Sequence, residues 1–161
     1  LALAGDGALK DDLVELARAR GLTVAEGQPQ QAVADTVFFC GYQTGTTLRD
    51  LYARSRLLLH PSSTEAFCLV LMEAMASGAL PLCDDLDTYK SQFADSACQP
   101  VFVATPAPGP WATAIDQWAD SPRLPKLRET NRAGVAGFAW SAVFPLYWQC
   151  YEDALASKPI R

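Results

Sequence analysis

The chain has 161 residues, 50% hydrophobic and 19% charged, with a formal net charge of −5, enough to bury one sizeable core and too few for two ordinary domains. That acidic balance excludes a protein that tracks nucleic-acid phosphates. No apolar run reaches the roughly 18 to 20 residues of a membrane span, and Leu1–Ala4 lacks the basic flank and length of a signal peptide.

In chain order, Leu1–Ala4 reads as a strand that stops at Gly5-Asp6-Gly7, followed by a helix carrying Leu9, Leu13, Leu16 and Ala17 and ended by Gly21. After a polar stretch from Glu26 to Gln31, Thr36–Cys40 forms a second strand closed by Gly41. Thr46 or Thr47 is expected to cap a short helix bearing Leu48, Leu51 and Tyr52, and Leu57–Leu59 is a third, wholly apolar strand ended by Pro61. Residues 67–77 have a helical pattern stopped by Gly78, Leu80–Cys83 reads as a fourth strand despite Pro81, and Val101–Val103 as a fifth. Beyond the proline-rich joint 106–110, helices are expected at about 111–120, 123–136 and 141–157, with Ser141 capping the last so that Pro145 falls in its first turn. That last helix has more aromatic surface than a covering helix needs, which suggests a further packing partner.

Strands apolar on both faces and alternating with helices predict an α/β fold, a doubly wound parallel sheet. Residues 1–105 make its core and 106–161 the C-terminal helices of the same domain. Ligands of such sheets sit beyond the carboxyl ends of the strands, which places Gly5–Gly7, Gly41–Gly45, Pro61–Ala66 and Asp84–Asp87 on the functional rim.

The sharpest motif there is Glu65-Ala66-Phe67-Cys68-Leu69-Val70-Leu71-Met72-Glu73, two glutamates separated by seven residues. Between them the helix start offers unpaired amides at about Phe67, Cys68 and Leu69, a natural seat for phosphate. The rise from Phe67 to Glu73 is about 9 Å, so the two carboxylates can flank a diphosphate and accept hydrogen bonds from hydroxyls at either end, the layout of a nucleotide sugar. The bland alternative makes Glu65 a solvated loop acid and Glu73 a paired helix residue. Because the segment 67–76 is otherwise apolar all round, Glu73 is expected to be buried, where a carboxylate needs a specific partner.

Five cysteines, Cys40, Cys68, Cys83, Cys98 and Cys150, are odd in number and widely spaced, which fits reduced core thiols and a cytoplasmic setting. With no C-x-x-C pair and His60 the lone histidine, a structural zinc site is not expected. Asp84-Asp85-Leu86-Asp87 is set aside as a solvated acidic loop, His60 as a packed strand end, and Cys68 as a thiol with no histidine near it in sequence.

The order Ala2-Leu3-Ala4-Gly5-Asp6-Gly7, Val37-Phe38-Phe39-Cys40-Gly41, Leu57–Ser62, Glu65 through Gly78 and Phe138-Ala139-Trp140 resembles the retaining glycosyltransferases of the large family that includes glycogen, sucrose and lipopolysaccharide mannosyl transferases. The resemblance implies a Rossmann-like domain, the second, donor-binding half of a GT-B architecture. It implies a hexosyltransferase, active as part of a full-length enzyme rather than as this chain alone, with a nucleoside-diphosphate sugar as co-substrate and no metal. It also implies roles: Glu65 as the catalytic-site contact to sugar hydroxyls, the Ala66, Phe67, Cys68 and Leu69 stretch for the diphosphate, Glu73 for the ribose, Gly41 beside the base, and Gly5 and Gly7 keeping the first turn low beside the donor.

Where this family has glycines the chain has Ala66 and Cys68, each expected to narrow the phosphate seat. The resemblance further implies a first strand and loop with a basic diphosphate clamp, expected to lie upstream of Leu1, and an N-terminal acceptor-binding domain, through which alone membrane association is expected. The competing expectation is a non-catalytic, degenerate nucleotide-binding domain used for protein association.

Overall fold

In the computed structural model, which describes residues 1–157, the chain divides into two compact units, Leu1–Leu51 and the remainder from Tyr52. In the first unit the elements are β1 (Ala2–Ala4), α1 (Lys10–Ala19), β2 (Thr23–Glu26) and β3 (Thr36–Gly41), and the three strands form a parallel sheet in the order β1-β3-β2. Strand β3 lies in the middle because it alternates apolar side chains on both faces. Val37 and Phe39 pack with Ala17, Val14, Leu3, Leu22 and Val24 into a small core.

Strand β2 is an addition to the five strands expected. It is four residues long and pairs in register with β3 from Thr23↔Thr36 to Glu26↔Phe39. Helix α1 turns Val14 and Ala17 to the sheet, so Leu9, Leu13 and Leu16, the expected inner stripe, are exposed. Gly21 ends this helix as expected, with φ 76° and its N–H bonded to the Arg18 carbonyl. Helix α2 (Gly45–Arg54) begins ahead of both threonines expected to cap it, and the Thr47 hydroxyl donates to the Thr44 carbonyl at 2.7 Å instead.

The second unit contains β4 (Leu57–His60), α3 (Leu69–Ser77), β5 (Leu80–Asp84), α4 (Asp87–Phe93), β6 (Val101–Val103), α5 (Pro108–Ala119), α6 (Leu124–Gly134), a 3-10 turn (Val135–Phe138) and α7 (Trp140–Ser157). Its sheet is parallel with the order β4-β5-β6. Period-two alternation along β5 feeds two cores. Leu80 and Leu82 pack with Trp111, Trp118 and Leu124, whereas Cys83 packs with Leu71, Met75, Tyr89 and Phe93 on the other face. Every residue of β5 is buried as a result.

Pro81 survives in this central strand for a geometric reason. The Leu80 N–H bonds towards β4, to the Arg56 carbonyl at 3.0 Å, so the next nitrogen faces the β6 side. Strand β6 starts only opposite Leu82, and no ladder bond is forfeited by the missing donor at Pro81.

Helices α5 and α7 begin earlier than expected. Helix α5 starts at Pro108, three residues before the expected start, because a proline in the first turn removes only an amide that has no partner anyway. Helix α7 starts at Trp140, which puts Ser141 inside it and Pro145 in its second turn rather than its first. At the end of α3, Gly78 adopts the left-handed conformation (φ 93°), and its N–H and that of Ala79 close on Met75 and Ala74. Two side chains of α6 complete that terminus, Arg128 donating to the Gly78 carbonyl and Arg132 to the Ser77 carbonyl at 3.0 Å.

Candidate functional site

Glycines at the carboxyl ends of β1 and β3 form one end of the first unit's sheet. Gly5 has φ 132° and Gly41 has φ 66°, conformations that L side chains rarely adopt, and the Gly5 N–H donates to the Gly41 carbonyl at 2.8 Å. Gly7 has no such requirement. Its N–H donates to Asp6 Oδ1 at 2.9 Å, and its carbonyl accepts the Lys10 N–H that opens α1. Two of the three expected glycines are therefore joined directly, strand end to strand end, with open space where each Cβ would stand.

In the second unit the loop from His60 to Cys68 carries the polar side chains. Strand β4 ends on His60, and His60 Nε2 lies 3.2 Å from Glu65 Oε1 and 3.4 Å from Cys68 Sγ. Imidazole and carboxylate are each about three-quarters buried, at 21% and 26% side-chain exposure, and Cys68 is buried. The histidine that sequence spacing kept apart from Cys68 is thus its neighbour. Burial pushes the Cys68 thiol up, against a downward pull from the Leu71 and Val70 amides, which disfavours a standing nucleophilic thiolate.

Helix α3 begins at Leu69, not at 67, with Cys68 as the residue preceding its first turn. The Cys68 backbone is clasped by Gln92 from α4: its N–H donates to Gln92 Oε1 at 3.0 Å, and Gln92 Nε2 donates to its carbonyl at 3.2 Å. One of the three amides expected to face a diphosphate is therefore already taken. The amides of the first helical turn, starting at Leu69, are the ones without intrahelical partners.

The expectation of all-round burial fails on one face of α3. Leu71, Ala74 and Met75 are buried, while Leu69, Glu73 and Ala76, one helical stripe, are exposed, as are Ala66 and Phe67 ahead of it. Apolar character all round a helix does not specify which face is covered within this unit. Glu73 makes no ion pair among the described residues, and its charge is felt by Tyr52, whose hydroxyl is pushed up to about 12, chiefly by burial.

Gln92 and Tyr89 are the neighbours that sequence reasoning missed, both on the unforeseen helix α4. The Tyr89 ring is 6.3 Å from the His60 ring, and its hydroxyl is buried beside the Cys68 sulfur. The acidic loop behind β5 is tied up locally, with Lys90 Nζ 2.7 Å from Asp85 and 3.8 Å from Asp87. No helix among the described residues is long and apolar enough to cross a membrane.

Residues 1–134 match the family described as Glycosyl transferases group 1. Curated relatives include a D-inositol 3-phosphate glycosyltransferase of Gordonia bronchialis, 30% identical over 130 residues covering 80% of this chain and 28% of that protein. Another, D-inositol 3-phosphate glycosyltransferase 2 of Catenulispora acidiphila, is 33% identical over 131 residues, covering 78% of this chain and 30% of that protein. The chain thus spans under a third of the length of these relatives. Among solved structures, a sucrose-phosphate synthase from Thermosynechococcus elongatus is similar with TM-score 0.65 and 19% identity, over 98% of this chain and 46% of that one. A GtfA/B complex is similar with TM-score 0.64 and 17% identity, over 94% of this chain and 35% of that one. At these identities the structural likeness establishes the fold, the Rossmann-like α/β fold of GT-B glycosyltransferases.

Proposed function

The chain belongs to the Glycosyl transferases group 1 family, and from that premise we propose that it is the donor-binding part of a retaining glycosyltransferase that moves a sugar from a nucleoside diphosphate to an acceptor. The observation that carries this reading is the open stripe of α3. It presents Glu73 to solvent one turn beyond the helix start, with Glu65 on the loop that leads into that start.

From Leu69 to Glu73 the helix rises about 6 Å. A diphosphate seated at the start of α3, on the amide of Leu69, is then within reach of both carboxylates, Glu73 accepting from ribose hydroxyls and Glu65 from sugar hydroxyls. The positive end of the helix dipole favours the charge that grows on the departing diphosphate, the electrostatic effect that does most in such transfers. Ala66 and the Gln92 clasp on Cys68 make this seat narrower than one built on glycines. The reading assigns no covalent nucleophile and no metal to the transfer, and it calls on the rest of the polypeptide for a basic clamp and an acceptor-binding domain.

Calorimetric titration of the chain with UDP-, GDP- and ADP-sugars tests the proposal. One donor series binds, and Glu73→Ala weakens it by about tenfold or more, the loss expected for hydrogen bonds to a charged acceptor. Equal affinity in the variant, or no heat from any donor when the upstream residues are included, favours a degenerate domain kept for association.

A further inference from the structure

We propose that His60 Nε2, a Glu65 carboxylate oxygen and Cys68 Sγ form a three-ligand site for a borderline divalent transition cation, Zn2+ before others. These three atoms lie within 4.8 Å of one another, and they are the only such histidine, cysteine and acid grouping among the described residues.

Two of the three separations match a coordination sphere. Tetrahedral bonds of about 2.0 Å put a nitrogen and an oxygen about 3.3 Å apart, and a zinc–sulfur bond of about 2.3 Å puts nitrogen and sulfur about 3.5 Å apart. The structure has 3.2 Å and 3.4 Å. A mixed set of imidazole, carboxylate and thiolate suits zinc and disfavours Mg2+ and Ca2+, which take oxygen ligands.

Hydrogen bonding alone serves the trio poorly. Nε2 carries either a proton or a lone pair. Protonated, it divides one hydrogen between two acceptors. Unprotonated, it can accept from the Cys68 S–H but then faces the Glu65 oxygen lone pair to lone pair at 3.2 Å. A cation at the centre turns all three lone pairs inward. On binding, the Cys68 S–H bond breaks, its proton leaves to solvent, and the sulfur ligates as thiolate, with no change of oxidation state.

The Tyr89 hydroxyl lies behind the same three atoms. It is fully buried, and the group beside it is the Cys68 sulfur. A phenol with a proton to give, beside a sulfur that becomes a thiolate when it ligates, is the outer support that metal-bound groups commonly have. The Gln92 clasp holds the Cys68 backbone in place, and three protein ligands leave a fourth position for solvent or another oxygen ligand.

Titration of the chelator-treated chain with Co2+ alone tests the site, and the readout requires no donor, so it stands apart from the role proposed for Glu65 in sugar transfer. The expected result is a thiolate-to-cobalt charge-transfer band with tetrahedral visible bands, saturating at one equivalent and displaced by Zn2+. Cys68→Ser abolishes the charge-transfer band, His60→Gln weakens binding by about tenfold or more, and Cys150→Ser, which removes the exposed thiol, changes neither. His60→Gln leaves the buried thiol in place, so it decides the matter if Cys68→Ser does not fold. No saturable band, a band that survives both substitutions, or one lost in Cys150→Ser overturns the site.

Discussion

Replacing Gln92 by alanine removes both hydrogen bonds that fix the backbone of Cys68 at the entry to α3. Cys68 retains only 2% of its surface, so water does not readily reach both groups. A typical net loss is about 1 kcal/mol per bond, and a buried polar group left unpaired costs about 1–3 kcal/mol. The two together predict a destabilisation of about 2–4 kcal/mol, far above the half kilocalorie typical of surface changes. Glutamate at the same position keeps an acceptor for the Cys68 N–H but has no N–H to give the carbonyl, so Gln92→Glu should fall between wild type and Gln92→Ala at pH 7. Urea unfolding monitored by circular dichroism reads this directly: with a slope of about 2 kcal/mol per molar, the midpoint moves down by about 1–2 M in the alanine variant. An alanine variant within about 0.5 kcal/mol of wild type refutes the clasp as a structural element, and a glutamate variant no better than alanine refutes its division into two separate bonds.

Two further effects follow from the same unit. Gly78→Ala forces a side chain into the left-handed conformation and drives its Cβ into the Arg132 guanidinium, displacing the bond from Arg132 to the Ser77 carbonyl; a loss of about 1–2 kcal/mol is expected in the same unfolding assay, and wild-type stability contradicts it. Burial raises the Cys83 thiol from 9.0 to about 12, so the unfolded chain releases that proton first. Stability is then undiminished below about pH 9 and falls between about pH 9 and 12, by up to about 1.4 kcal/mol per pH unit for this group. Urea midpoints at pH 8 and pH 10 measure the fall, Cys83→Val should flatten it, and equal midpoints in the wild type refute it.

Strong apolar runs and glycine stops made β3, β4, β5 and the end of α3 legible from residue types alone. Strand β2 was not, because Thr23-Val24-Ala25-Glu26 is short and owes its existence to a neighbour, β3, that pattern reading does not supply. Helix α4 escaped for a related reason: seven residues, Asp87-Thr88-Tyr89-Lys90-Ser91-Gln92-Phe93, bury only Tyr89 and Phe93, too few repeats to show a helical period. With α4 went both Gln92 and Tyr89, and with them the reason Cys68 is held where it is. The pairing of His60 with Cys68 lies across an irregular loop eight residues long in sequence terms, and no periodicity governs such a turn. Glu65 and Glu73 were found by type and spacing, but the exposure of Glu73 depends on which side of α3 the sheet and α6 cover, a property of packing rather than of hydrophobicity.

Helix α7 buries none of its residues, although Trp140, Phe144 and Trp148 line one side at successive ring distances of 5.7 and 6.2 Å. An eighteen-residue helix rich in aromatic side chains is marginal in water without a surface to lean on. Its backbone amides are accordingly the first to open and exchange with solvent deuterium, whereas those of β5, enclosed on both faces, wait for global unfolding. The polypeptide thus carries a gradient of local stability from its central strand to its last helix, and that helix gains order in proportion to whatever apolar surface comes to cover it.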